Sequence, residues 1–275
     1  MVSRERIRQA LKRKRVRYPL IFGITLGIFF LISSVVAITL FAVLPERAVH
    51  LLPDIELPTA SDRVLILSPH PDDETIAAGG YIQKAKNNRA EVKIVLATDG
   101  DRRGLGDLRY QEFIRAVGEL GVEENNLEFW EFSDGRGLNQ ADSMTKMVVA
   151  ELKSYRPTVV LAPMVQDDHK DHQALGRAFL SAAQETGYSG LSYGFLVHHR
   201  YYPQPKKFNP DRYLSPPIKY LSFGQGWQKL MLSPEEIDRK NEALLGYHSQ
   251  LKVPLLNSLL KSMVRKNELF IKLDY

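Results

Sequence analysis

At 275 residues, with 44% hydrophobic and 25% charged side chains, the chain has the makeup of a folded protein with a sizeable core, which excludes a disordered or collagen-like polymer. It contains no cysteine, so disulfides, thiolate metal ligands, iron–sulfur clusters and thiol nucleophiles are excluded together. The net charge of +5 is unevenly spread: residues 1–17 hold eight Lys/Arg against Glu5, a local +7 that leaves −2 for the rest and no basic face for nucleic acid.

Residues 1–17 therefore read as a basic tail. From Pro19 to Leu44 there is no charged side chain across 26 residues rich in Leu, Ile, Phe and Val. A helix rises about 1.5 Å per residue, and about 20 residues cross the hydrocarbon core of a bilayer. The run is longer than the apolar region of about 7–15 residues in a secretory signal, and Pro45-Glu46-Arg47 is a poor cleavage site. Residues 18–45 are thus expected to be a single uncleaved transmembrane anchor, with the lipid bilayer as a partner. The excess of Lys/Arg before the span places the N-terminus in the cytoplasm and the following domain outside it. Residues 46–61, with two prolines and no clear period, read as a short linker to a domain over 62–275.

Beyond Arg63, short buried-type runs alternate with amphipathic stretches. Strands are expected at Val64–Ser68, Val92–Thr98, Leu127–Phe132, Thr158–Pro163 and Leu191–His199. Helices are expected at Thr75–Lys86, Leu108–Leu120, Ser143–Tyr155, Ala174–Thr186 and, begun by Ser233-Pro234, Glu235–Tyr247. The alternation predicts an α/β fold: a Rossmann-like, mostly parallel sheet with helices on both faces, preceded by one transmembrane helix. The Pro- and aromatic-rich stretch from Tyr201 to Pro217 reads either as a sugar-stacking wall or as an insertion packed on the core, with Lys206, Lys207 and Arg212 solvating a loop.

Two clusters carry chemistry. Pro69-His70-Pro71-Asp72-Asp73-Glu74 directly follows the first strand, and Asp167-Asp168-His169-Lys170-Asp171-His172 shortly follows the fourth. In a parallel sheet these strands can be neighbours, and ligands bind at carboxyl ends of strands. Imidazole and carboxylate together suit a catalytic zinc with an open water position, and a further carboxylate can take a proton from that water. Calcium and magnesium prefer all-oxygen shells, so the histidines favour a transition metal. His198 and His199 end the fifth strand, where alternation lets at most one face the site.

At these residues the sequence resembles the PIG-L/LmbE-like family of zinc-dependent N-acetylglucosamine deacetylases. The family's PHPDDE is complete at 69–74. Thr98-Asp99-Gly100, Arg109-x-x-Glu112 and the ending Lys240 with Tyr247-His248-Ser249-Gln250 also match, and the usual H-P-D-H reads His169-Lys170-Asp171-His172. The resemblance covers about residues 62–250. It implies His70, Asp73 and His172 as ligands of Zn2+ or another divalent transition metal, with Asp72 as general base. It implies His169 as the group that stabilises the tetrahedral intermediate, oriented by Asp171, and Arg109 and Asp134 as residues near the bound sugar. The implied reaction is hydrolysis of an N-acetyl group on an N-acetylglucosaminyl-type substrate, lipid-linked, glycan or small conjugate. Two rivals remain at the sequence level: a metal-dependent amidase on another sugar-linked or acyl amide, and a tethered sugar-binding module without catalysis.

Overall fold

The computed structural model describes residues 4–101, 104–200, 202–221 and 226–275, in two compact units that divide between Ala42 and Val43. The first unit is one helix, α1 (Arg4–Phe41). Its stretch Tyr18–Leu40 has a mean hydropathy of 2.5 over 23 residues, all exposed. By length and composition it is a candidate membrane span.

The second unit is an α/β domain built in the expected rhythm: β1 (Arg63–Ser68), α2 (Asp73–Asn87), β2 (Glu91–Thr98), α3 (Gly106–Glu119), β3 (Leu127–Phe132), α4 (Ala141–Tyr155), β4 (Val159–Pro163), α5 (Lys170–Thr186) and β5 (Leu191–Phe195). There follow β6 (Trp227–Met231), α6 (Pro234–Leu245), the single turn α7 (His248–Leu251), α8 (Pro254–Ser262) and β7 (Asn267–Lys272). The sheet order is β3-β2-β1-β4-β5-β7-β6. The first five strands run parallel, and β7 is antiparallel to both β5 and β6. Strand order reverses at β1, which pairs with β2 on one side and β4 on the other.

Strand alternation fills two cores. Val64 and Ile66 of β1 pack with α2, α3 and α6, whereas Leu65 and Leu67 pack with α4 and α5 on the opposite face. Helices therefore cover both faces, as the mostly parallel sheet requires. Helix α6 starts where Ser233-Pro234 predicts. Ser233 Oγ accepts from the Glu236 amide, Glu236 Oε2 accepts from the Ser233 amide at 2.8 Å, and Pro234 occupies the first turn.

The structure differs from the sequence reading in three places. Strands β6 and β7 carry mixed residues such as Gln228, Lys229, Asn267 and Glu268, so they lack the apolar run of a central strand and escape pattern reading. Strand β5 stops at Phe195, and His198 and His199 lie in the loop after it. Residues 46–61 are not a free tether: Val49 and Ile55 are buried, and the Ile55 amide donates to the Lys229 carbonyl at 2.9 Å. The 202–217 stretch is likewise packed, with Tyr202 and Leu214 in the core and Lys206, Lys207 and Phe208 exposed; Tyr201 lies outside the described residues.

Helix α2 lies close against β7 through Gly80, where an added Cβ would sit 2.2 Å from Leu232 and 3.1 Å from the Glu268 carboxylate. That carboxylate is almost wholly buried. It accepts from the Gly80 and Tyr81 amides at 2.7 and 3.0 Å and pairs with the equally buried Lys240 ammonium at 2.6 Å. Removing the ammonium alone strands a charge in the interior. Lys240→Met is expected to lower unfolding stability by about 3–5 kcal/mol, read from the urea midpoint; a loss under about 1 kcal/mol would show the pair to be dispensable.

Candidate metal centre and active-site cavity

The loop after β1 and the loop after β4 meet at the switch point of the sheet, because β1 and β4 are hydrogen-bonded neighbours. Each loop feeds directly into a helix N-terminus, α2 at Asp73 and α5 at Lys170. The positive end of each helix dipole favours carboxylates there, and Asp73, Glu74 and Asp171 occupy those first turns.

Asp73 is the centre of the cluster. Its Oδ2 accepts from the His70 amide, lies 3.0 Å from His70 Nδ1, and is 3.0 Å from His172 Nε2. Asp73 and His172 are 1% and 0% exposed. Asp73 Oδ1 is buried without a hydrogen-bond partner, and the buried His172 ring is flanked by Asp73 at Nε2 and Asp167 at Nδ1. Orphaned buried polar atoms are costly, and a divalent cation would satisfy Asp73 Oδ1 while taking the one His172 nitrogen that faces Asp73. Sets of ligand atoms within 4.8 Å of one another include His70 with His169 and His172, and Asp73 with His172 and His198. The donor set of imidazole and carboxylate fits a transition metal.

Electrostatics agree with that geometry. Burial opposes charge on Asp73, but His172 and His70 hold its carboxyl well below the usual range. Burial likewise opposes charge on the imidazoles, yet Asp171 and Asp73 push His70 up to about 9, and Asp167 and Asp73 raise His172 well above its ordinary value.

Asp72 is held in a conformation that L-residues rarely adopt, with φ at 130°. Its neighbours impose this. Arg109, buried, donates to the Pro71 carbonyl at 2.8 Å, to the Gly100 carbonyl at 2.9 Å and to Asp72 Oδ2 at 3.4 Å. Gly100 has φ +60°, and a Cβ there would meet Arg109 Nη1 at 2.9 Å, so the turn needs glycine. Glu74 supports the loop from beneath, accepting from Ser68, Thr75 and Tyr247 hydroxyls and from the Asp72 amide. Burial and the charge of Asp73 push the Asp72 carboxyl up to about 8, with Arg109 opposing.

His169 caps α5: its Nδ1 accepts from the Asp171 amide at 3.3 Å. The ring proton is therefore on Nε2. Burial, followed by the charges of His70 and His172, brings His169 down to about 3, so it is a neutral imidazole. The Asp171 carboxylate lies 4.0 Å from His169 Nδ1, beyond hydrogen-bond reach. It accepts instead from the Gly135 and Gly137 amides at 2.6 and 2.8 Å and meets His70 Nε2 at 3.0 Å. Asp134 sits between His70 and Arg109, at 3.6 and 3.7 Å.

His70, Asp72, Asp73, Arg109, Asp134 and His169 line a cavity of about 260 Å³ together with Ile76, Leu105, Val197 and three leucines of α8. Sequence reasoning missed several contributors. Asp167, 1% exposed, accepts from the Val197, His198 and His169 amides and lies 3.2 Å from His172 Nδ1, which ties the β4 and β5 loops to a ring of the cluster. His198 lines the cavity, with its ring 4.6 Å from that of His172, whereas His199 turns away to Asp168 and Tyr220. The run of acidic residues at 167–168 was the signal for Asp167. Nothing local pointed to α8.

Residues 65–183 match the model of the PIG-L family, described as GlcNAc-PI de-N-acetylase. It is 28% identical over 147 residues to the diacetylchitobiose deacetylase of Thermococcus kodakarensis, covering 49% of this chain and 54% of that one. It is also 28% identical over 139 residues to a Bacillus subtilis protein named as a probable N-acetyl-alpha-D-glucosaminyl L-malate deacetylase, covering 44% and 60%. The chain thus spans little more than half the length of these curated relatives. Among solved structures, the conserved protein TT1542 of Thermus thermophilus superposes with a TM-score of 0.57 at 24% identity, over 77% of this chain and 96% of that one, a likeness of fold.

Because neighbouring acids raise both His70 and His172 above their ordinary pKa, and a metal needs the rings deprotonated, cation binding is expected to release at least one proton and to weaken as pH falls. Calorimetric titration of zinc in buffers of different ionisation enthalpy reads the proton count directly. Equal heats across buffers would contradict the cluster as a metal site.

Proposed function

We propose that the protein is a metal-dependent hydrolase that removes the N-acetyl group from an N-acetylglucosaminyl-type substrate. The carrying observation is that His70 Nδ1 and His172 Nε2 both lie 3.0 Å from Asp73 Oδ2, with Asp73 Oδ1 buried and unpartnered, and that Asp72 and His169 line the same cavity as His70 and Asp73. The PIG-L profile match and the two relatives named as deacetylases support the same reading.

His70, Asp73 and His172 would hold the ion, zinc by the family resemblance. When bound, it supplies a Lewis acid that polarises an amide carbonyl and acidifies water. The remaining work falls to the chain. Asp72, left off the metal and raised by burial, takes the proton of the attacking water. His169 donates from Nε2–H to the amide oxygen as negative charge develops, and its Nδ1 is fixed by the Asp171 amide. Asp171 acts through its carboxylate on His70 and through its amide on His169. Arg109 holds Asp72 in its strained position, and with Asp134 it presents polar atoms to the sugar. Collapse releases acetate and the free amine, which takes up a proton.

Residues 18–40 would anchor this domain to a bilayer, with the basic tail in the cytoplasm and residues 46–275 outside it. Tethering fits a substrate that is lipid-linked or part of the cell envelope.

Acetate release from free, lipid-linked and polymeric N-acetylglucosaminyl compounds, with and without zinc, tests the reading. Asp72→Ala is expected to keep its metal and lose about 100- to 10,000-fold in rate, because it removes a base and not a ligand. His172→Ala is expected to lose the metal. Normal turnover by the Asp72 variant would overturn the assignment of the base. A reporter fused after Tyr275 is expected to be active only outside the cytoplasm, and cytoplasmic activity would reverse the topology.

A further inference from the structure

The net −2 of residues 18–275 hides a basic patch. Residues 202–217 and 248–267 hold seven Lys/Arg against one acid, Asp211, a local +6. The fold stitches these two segments together. Ser258 Oγ donates to the Lys206 carbonyl, the Lys266 amide donates to the Arg212 carbonyl at 3.0 Å, and Leu214 and Asn267 exchange hydrogen bonds of 2.8 and 3.0 Å. Arg265 rivets them: wholly buried, it donates to the Pro205 and Asn209 carbonyls at 2.6 and 3.2 Å.

The patch presents a mixture to solvent. Lys206, Lys207 and Lys252 are exposed, and so are two apolar side chains of the same segments, Phe208 at 47% and Leu255 at 84%. A lone exposed leucine means little, but large apolar side chains set among lysines have the composition of surfaces that sit at a bilayer's headgroups. The apolar groups enter the acyl boundary while the ammonium groups meet lipid phosphates.

Chain length fixes which surface is within reach. Val43 is three residues past Leu40, the end of the candidate span, so it lies within about 11 Å of that end. Val43 forms a β-bridge with Pro217, the Leu44 amide donates to the Pro216 carbonyl at 2.9 Å, and Glu46 pairs with Arg212. The basic segment is thus bonded to the first residues after the span. Arg212 is already neutralised by Glu46, which leaves the lysines as the cations on offer.

We infer that this patch is a second point of membrane attachment: it docks on the anionic headgroups of the bilayer that holds residues 18–40. A span alone leaves a domain's orientation on the bilayer open, and a charged and apolar contact beside it fixes which face meets the lipid. The inference rests on the span reading above for the choice of bilayer and adds a lipid-binding face on the domain itself.

The chain has no cysteine, so one introduced cysteine carries one fluorophore. The full chain is labelled at Phe208→Cys or Leu255→Cys, and at exposed Lys153→Cys on α4 as the control. It is placed in nanodiscs of phosphatidylcholine, alone or mixed with phosphatidylglycerol, with a quencher on the lipid headgroups. Quenching at 208 and 255 is expected in the charged discs, falling as salt is raised, with none at 153. Lys207→Gln and Lys252→Gln, each read from the label on the other segment, are expected to lower the ratio of docked to undocked domain about fivefold. Leu255→Ser, read from position 208, is expected to lower it by up to about tenfold. Equal signals at 208 and 153, or quenching at 208 indifferent to lipid charge and to both lysines, would overturn the inference. Shielding of position 208 that grows with chain concentration and not with lipid charge would assign the patch to a second copy and overturn it too. A chain that does not enter the discs would overturn the span reading. The same labelled chain mixed with vesicles of these lipids then decides the patch separately: quenching on charged vesicles upholds it, and none overturns it.

Discussion

One buried carboxylate oxygen organises the molecule's chemistry. Asp73 Oδ2 is met at 3.0 Å by the His70 amide, by His70 Nδ1 and by His172 Nε2. A carboxylate so deeply buried is stable only as the counter-charge of something positive. The two imidazoles beside it supply that partner, and Asp73 and its neighbours raise both rings above their ordinary pKa. The unpartnered Asp73 Oδ1 marks where a cation would sit.

The surrounding fold can be read as the means of keeping that arrangement. The β1–β4 pairing brings two loops, about a hundred residues apart in sequence, to one sheet edge. Two helix N-termini add favourable potential for the acids. Asp167 braces His172, and Asp171 braces His70 through a carboxylate itself held by two backbone amides. Arg109 and Glu74 clamp the strained backbone at Asp72 from opposite sides. The strain is tolerated because several independent contacts impose it, and the two adjacent acids differ in their surroundings: the Asp72 carboxyl is raised and that of Asp73 lowered.

The Asp171–His169 relation shows how the structure refines a motif. A carboxylate two residues from an imidazole invites the reading that one orients the other through its side chain. Here the main chain does so, because His169 is the N-cap of α5 and its ring takes an amide that the helix leaves unpaired. The Asp171 side chain is free to serve His70 instead. One short motif thereby supports two imidazoles from two different groups of the same residue.

The parallel β-α rhythm, the cluster at 69–74, the cluster at 167–172 and the apolar run at 18–40 were all legible in the chain itself. Each is a local signal: a buried strand needs a continuous apolar run, a span needs about 20 apolar residues, and metal chemistry needs particular donors. Tertiary structure alone decided what depends on distant partners. Strands β6 and β7 are edge additions whose polar residues find partners in other elements, as Lys229 does with the Leu52 carbonyl and Glu268 with Lys240, so no apolar period reveals them. The choice of His198 over His199, the bracing by Asp167 and the leucine wall of α8 arise from how loops and a late helix close over the sheet edge. Sequence names the reactive groups because chemistry resides in residue types; only packing decides which surface they face and what stands opposite them.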